Sequence, residues 1–321
     1  VVMPALLRRL SLAGLLFGAA LAAALLLLLM RVFDGYWAWI VLRAAMSFAT
    51  TALFFGSELW ILTTAPAARR GTWLGIYGFF LALGFFVGPA LLNLVGTAGG
   101  APFVWGAGIM ASAALPVMAA WARAPSGLGA QRQSLGTTVG FFRTDPALAC
   151  GVLLFSCFEF GALGLLPVWG LRVGYEESLA IFLVAAVAFS GLLFDLPMGM
   201  LSDRVNRRLL LVTAALAVLA AGLLLPSAAP FPGWVLLLLV VSGGLSIALY
   251  VVPLAQFATR YEGPHLAQAN GAVMFAYGLG ALISPVFLGQ LMDRVPPHGL
   301  PLGLAGLAAA YLALILARRT I

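Results

Sequence analysis

Ten apolar runs, separated by short connections, govern what this chain of 321 residues can fold into. They lie near 10–30, 36–62, 72–94, 103–121, 147–170, 179–200, 209–226, 233–257, 267–291 and 299–317. A hydrocarbon core ~30 Å thick is crossed by ~20 helical residues, so each run has spanning length. The expected fold class is an all-α polytopic membrane protein. A chain that is 63% hydrophobic and 8% charged, with mean hydropathy +1.10, has far more apolar surface than a soluble domain of this length needs. Glycine and proline punctuate the connections, as in Ala124–Gly129, Pro226–Gly233 and Pro296–Pro301. The first run follows Arg8 and Arg9, but it is too long for a signal peptide and further spans come directly after it.

Arginine placement sets the expected orientation. All 17 basic residues are arginine, a bias that suggests a GC-rich bacterial genome. With the N-terminus in the cytoplasm, thirteen arginines fall inside: 8, 9, 69, 70, 123, 132, 143, 204, 207, 208, 260, 318 and 319. Arg31, Arg172 and Arg294 fall outside, and Arg43 lies within a span. The excess of internal charge places both termini in the cytoplasm, and the chain is expected in a bacterial inner membrane. The net charge of +7 resides in short loops and not in a stripe, which argues against a nucleic-acid partner. Cys150 and Cys157 share one apolar segment and read as inert thiols.

The densest cluster of charge is Gly199–Arg208, G-M-L-S-D-R-V-N-R-R, between the sixth and seventh runs. Gly199 permits close backbone approach, Asp203 is suited to cap a helix N-terminus, and Arg204, Arg207 and Arg208 stay at the cytoplasmic face. The spacing G-x-x-x-D-R-x-x-R-R resembles the signature loop of the major facilitator superfamily, which joins the second and third helix of each six-helix half. Asn206 stands where that pattern usually has glycine; asparagine also tolerates a left-handed turn.

An internal repeat agrees with that resemblance. Shifted by 196 residues, Thr51–Leu92 overlies Ile247–Leu288, with Ala52, Leu53, Thr63, Gly75, Phe79, Leu83, Gly84, Pro89 and Leu92 meeting identical residues. Gly75, Gly84, Gly88 and Pro89 thereby match Gly271, Gly280, Ser284 and Pro285. The expected organisation is an incomplete N-terminal bundle over 1–121, a central cytoplasmic loop over 122–146 and a C-terminal bundle over 147–321. Asp145–Met198 has no counterpart in the first half, so the repeat implies ten helices (4 + 6) of a twelve-helix architecture. A truncated gene model or fragment is the expected reason, and a natural ten-helix protein is the alternative.

The resemblance carries expectations for individual residues. Gly75–Pro89, G-x8-G-x3-G-P, and its copy over Gly271–Pro285 resemble the fifth-helix motif of antiporters and exporters; both also suit close helix packing. Arg43 resembles the fourth-helix arginine tied to proton coupling in the family, although Ser47 replaces the glycine that usually follows. A rise of ~1.5 Å per residue puts it ~11 Å in from the outer surface, where an arginine needs a partner or a wet cavity. Glu159, ~18 Å from the start of its helix by the same count, is placed to carry a proton; a structural ion pair is the other reading. Glu58 could serve coupling or the loop network, and Asp195 is expected to serve the loop network. Tyr250 and Gln256 lie on the equivalent of a cavity-lining helix, with helix–helix hydrogen bonding as the alternative.

Soluble catalytic signatures are lacking: the sequence has no H-E-x-x-H, no G-x-S-x-G and no phosphate-binding glycine loop with a lysine. An enzyme is not expected, nor a metal or cofactor. W-A-W-I-V-L-R, D-L-P-M-G-M-L-S-D-R and A-Y-G-L-G-A-L-I-S-P resemble a bacterial exporter branch of the superfamily. The resemblance implies a monomeric secondary transporter in the lipid bilayer that moves a small molecule, coupled to protons, by alternating access. Uptake by symport, or a sensor or assembly factor without transport, are the alternatives.

Overall fold

The computed structural model describes residues 2–96, 99–128 and 135–318, without the side chains at 89, 90, 93, 135 and 137. The side chain of Pro89 and the whole of Arg132 and Arg319 therefore lie outside the described residues. Ten of the described helical segments are long and apolar enough to cross a membrane, as the apolar runs predict. They are α1 (Leu12–Val32), α2 (Tyr36–Thr64), α3 (Arg70–Val95), α4 (Ala101–Ala119), α5 (Pro146–Arg172), α6 (Glu177–Arg204), α7 (Arg207–Ala228), α8 (Pro232–Arg260), α9 (Gly263–Arg294) and α10 (Gly299–Ala317). Helix α4 is interrupted at Ala113 and α8 at Ile247. The described contacts group into two compact units.

The first unit comprises Val1–Thr64, Val87–Gly136 and Arg260–Gly271. Ser11 starts α1 by accepting a hydrogen bond from the Gly14 amide at 3.0 Å, which satisfies one of the orphan donors of a first turn. Ala13, Leu16, Ala20 and Ala23, three or four residues apart, form one buried face of α1. Small residues on that face allow α2 and α4 to pack closely against it. Gly56 of α2 shows how closely: a β-carbon there would come within 2.7 Å of Leu16. Phe17 and Trp121 meet edge to face at 5.9 Å.

The second unit comprises Ala65–Phe86, Thr137–Thr259 and Ala272–Ile321. Helix α7 packs closely on α10, where a β-carbon on Gly222 would lie 2.8 Å from that of Ala305. Helix α5 packs on α6 and α10, and α6 on the first half of α8. Asn206 caps α7, its side-chain oxygen accepting from the amides of Arg208 at 2.9 Å and Leu209 at 3.3 Å. Arg172, at the end of α5, donates to the Met292 carbonyl at 2.8 Å and to Asp293 at 2.6 Å on α9. The exposure of that ion pair, 36% and 69%, limits its contribution to ~1 kcal/mol or less.

The segment before α5, expected as part of a polar loop, contains a ten-residue helix over Leu135–Thr144. Phe141 meets Phe257 edge-on at 6.1 Å and Phe142 meets Phe275 at 6.3 Å. Its polar residues made the segment resemble a loop in sequence, but two adjacent aromatic rings anchor it.

Candidate transport site

Two polar centres in the second unit take in much of the chemistry singled out in the sequence. The first lies where the last turn of α6 meets the first turn of α3. The Asp203 carboxylate accepts from the Gly71 amide at 2.8 Å, the Thr72 amide at 2.7 Å and the Thr72 hydroxyl at 2.7 Å. These amides are donors that a helix start leaves without intrahelical partners, and a negative charge is favoured there by the helix dipole. Asp203 is therefore a helix cap, and the helix it caps is α3, 131–132 residues away in sequence.

Glycines make that approach possible. Gly71, Gly75 and Gly78 recur along α3 at spacings of four and three, on one face. A β-carbon on Gly71 would sit 2.8 Å from an Asp203 carboxylate oxygen. One on Gly75 would sit 2.5 Å from the Asp195 carbonyl and 3.0 Å from the Gly199 α-carbon. One on Gly199 would come 2.7 Å from the Gly75 α-carbon. The leading glycines of two separate sequence motifs thus press their backbones together. Gly280 has a similar role on α9, where a β-carbon would fall 2.8 Å from that of Ser156 on α5. Gly84 and Gly88 are exposed, with open space where a β-carbon would go; Gly271 is buried and Pro285 half-buried.

The arginines at the same end reach helix C-termini, whose last carbonyls lack intrahelical donors. Arg208 donates to the Ile315 carbonyl in the last turn of α10 at 3.1 Å. Arg70 donates to the Ala258 carbonyl in the last turn of α8. Arg207 donates to the Gln256 side chain and, at 3.4 Å, to the Thr259 hydroxyl. Gln256 thus makes the helix–helix hydrogen bond that its position allowed. Arg204 is exposed.

The second centre surrounds Glu159, midway along α5. The Tyr277 hydroxyl of α9 donates to its carboxylate at 2.7 Å. The rings of Phe155, Tyr250 and Tyr277 lie with centroids 5.5–6.3 Å apart, and Phe160 is 5.5 Å from Tyr277. The buried Ser156 hydroxyl donates to the Tyr277 carbonyl at 2.5 Å, fixing that residue's backbone against α5. The Tyr250 ring lies in this cluster, and Tyr277 and Phe155, its ring neighbours, were not singled out in the sequence. Tyr277 sits in A-Y-G-L-G within the repeated glycine motif, the one signal that could have drawn attention to it. Asp195, expected to serve the loop network, instead faces Gly78 and Gly191, whose β-carbons would lie 2.9 and 3.3 Å from its carboxylate. It is within electrostatic reach of Glu159.

The first unit holds the remaining candidates. Arg43 is exposed on α2, its carbonyl accepting from Ser47 at 2.9 Å. Glu58 is 1% exposed, one turn beyond Phe55, whose carbonyl accepts from Asn270 of α9 at 3.1 Å.

The sequence profile of the Major Facilitator Superfamily matches residues 5–285 and 174–320. The chain belongs to that superfamily. It is 27% identical over 294 residues to the MFS-type transporter YfkF of Bacillus subtilis, covering 88% of this chain and 73% of YfkF. It is 24% identical over 284 residues to the MFS-type transporter YcaD of Escherichia coli O139:H28, covering 88% of this chain and 72% of YcaD. Among solved structures, the superfamily transporter FucP in its outward conformation aligns with all of this chain and 87% of its own length, at TM-score 0.74 and 12% identity. The human organic anion transporter MFSD10 aligns with 98% of this chain and 79% of its own, at TM-score 0.75 and 14% identity. At those identities the structural matches show the superfamily fold alone. Family and fold together make the chain a multi-pass secondary transporter of small molecules.

Proposed function

We propose that this transporter exports its substrate in exchange for protons, by alternating access between a bundle over 1–121 and one over 147–321, joined by a central cytoplasmic segment. Glu159 is the observation that carries the proton coupling. It is a carboxylate inside a membrane span, held by one hydroxyl that can donate to its ionised form and accept from its protonated form. Arginine keeps its proton throughout a cycle, so Arg43 has the role of a fixed charge and Glu159 that of the group that titrates. The Asp203 cap on α3 supports a gating role for the signature loop, since breaking it frees a helix start. The repeated glycine–proline motif favours export over uptake. In proteoliposomes with an imposed pH gradient, Glu159→Gln is expected to abolish accumulation while substrate exchange remains measurable. Arg43→Ala is expected to impair both. Full gradient-driven accumulation by Glu159→Gln would move the coupling role elsewhere, with Glu58 next.

The same reading places the protein in a bacterial inner membrane with both termini in the cytoplasm. Thirteen internal arginines support it. Arg204 is exposed in the last turn of α6 and so is a suitable reporter. A cysteine introduced there as Arg204→Cys is expected to resist a membrane-impermeant maleimide added outside intact cells and to react in inverted vesicles. Ready labelling from outside would reverse the orientation.

A further inference from the structure

Helix α8 is weakened twice within two turns. It is interrupted at Ile247, and Pro253 lies inside its second half. Proline has no amide hydrogen, and its ring crowds the carbonyl four residues earlier. That carbonyl belongs to Leu249, which therefore lacks the donor that an uninterrupted helix would supply. The turn is packed in protein, with Ile247, Leu249, Val251 and Val252 all buried, so solvent does not replace the missing amide.

A donor without an acceptor stands close by. Tyr311 of α10 is 4% exposed, and its hydroxyl is buried with no hydrogen-bond partner among the described residues. Hydroxyl and carbonyl border the same gap, at Gly151 of α5. A β-carbon there would lie 2.9 Å from the Tyr311 hydroxyl oxygen and 3.6 Å from the Leu249 carbonyl oxygen. The two groups are not bonded to each other, yet a displacement of a few ångströms would bring them to the ~2.7–2.8 Å of an O–H···O bond. Glycine at 151 leaves that path open, whereas any larger residue would place an atom in it. A buried donor and a buried acceptor each cost free energy when unsatisfied, and pairing them removes both costs at once.

We propose that the Tyr311 hydroxyl is the alternative donor for the Leu249 carbonyl, and that making and breaking this bond switches α8 between two bends at 247–253. In the open bend, which this structure shows, hydroxyl and carbonyl stand apart across the Gly151 gap. In the closed bend the Leu249 turn lies nearer α5 and α10, and the bond is made. The half of α8 before Ile247 packs on α6 and α7 and stays with them. The moving part is the half after it, a hinge at a helix interruption beside a proline. Tyr250 belongs to that turn, so the bend also sets where its side chain stands. The switch lies beyond the proton-coupled export reading and holds whichever group carries the proton.

Hydrogen–deuterium exchange of the purified chain in a nonionic detergent reads the hinge without any substrate or gradient. Peptides covering 247–257 are compared by mass spectrometry in the wild type, Tyr311→Phe, Pro253→Ala and the double variant. Tyr311→Phe keeps the ring, removes the bond of the closed bend and relieves the orphaned hydroxyl of the open one. Both effects favour the open bend, and exchange in these peptides is expected to rise about threefold to tenfold, as for one lost hydrogen bond. Pro253→Ala restores an amide for the Leu249 carbonyl, so exchange there should slow. Adding Tyr311→Phe to Pro253→Ala should then change exchange by less than about twofold. That rescue separates a bond to Leu249 from a packing role of the ring, which would persist in both backgrounds. Gly151→Ala keeps the hydroxyl but fills the gap, and is expected to act in the same direction as Tyr311→Phe. Unchanged exchange in Tyr311→Phe, the same acceleration with and without Pro253, or wild-type exchange in Gly151→Ala would overturn the proposal.

Discussion

Asp203→Asn is expected to slow transport about tenfold or more while substrate affinity changes little. Asp203 accepts two backbone amides and one hydroxyl with a single carboxylate. Asparagine has one oxygen, and its amide group cannot accept from the second backbone amide. At least one charge-assisted hydrogen bond is lost, ~1.5–3 kcal/mol, together with ~0.3–1 kcal/mol of favourable interaction with the α3 dipole. A loss near ~2 kcal/mol shifts the ratio of two conformations ~30-fold. The effect belongs to the conformational equilibrium and not to binding, because the contact is remote in sequence and chemistry from the Glu159 cluster. Initial transport rates beside equilibrium substrate binding separate the two. Wild-type rates in the variant would remove Asp203 from the cycle.

Gly75→Val should be at least as damaging, and Gly84→Ala nearly silent, although both glycines belong to one sequence motif. The β-carbon of valine at 75 would already sit 2.5 Å from the Asp195 carbonyl and 3.0 Å from the Gly199 α-carbon. Both neighbours are backbone, so no side-chain rotation relieves the clash, and overpacking of this kind costs ~1–3 kcal/mol or more. The variant is expected to lose most transport and to unfold at lower temperature in detergent. Gly199→Val should behave alike, because the same contact is approached from the other helix. A β-carbon at 84 meets open space, and alanine favours a helix over glycine by up to ~1 kcal/mol. Gly84→Ala should keep transport within about twofold of wild type and the same or higher thermal stability. Equal loss at 75 and 84 would mean that the motif acts as a whole and not through the α3–α6 contact.

The difference between these two glycines shows where sequence reasoning stops. Spacing within a motif relates residues along one helix, while the partner that makes Gly75 necessary is Gly199, far along the chain. The same holds for Asp203: its residue type and its place beside a helix boundary marked it as a cap, but nothing local identified α3 as the helix capped. Glu159 was recognisable because a carboxylate is rare in an apolar run. Its partner Tyr277 lies 118 residues away and is unremarkable among the aromatic residues of the chain. Arg43 was expected to need a partner or a wet cavity, and it is exposed on α2.

The sequence by itself determined the class, the ten spans and the superfamily resemblance. Each follows from local properties: apolar length against bilayer thickness and a loop of fixed spacing between two runs. Tertiary structure alone decided which faces meet, that α6 caps α3, that the signature arginines reach the ends of α8 and α10, and that aromatic rings gather at Glu159. The reason lies in the solvent. In water, an amphipathic pattern shows which face of a helix is buried. In a bilayer, lipid-facing and helix-facing surfaces are both apolar, so hydrophobicity no longer distinguishes them. Only the close approach of glycine backbones and a few satisfied polar groups records which helices are neighbours.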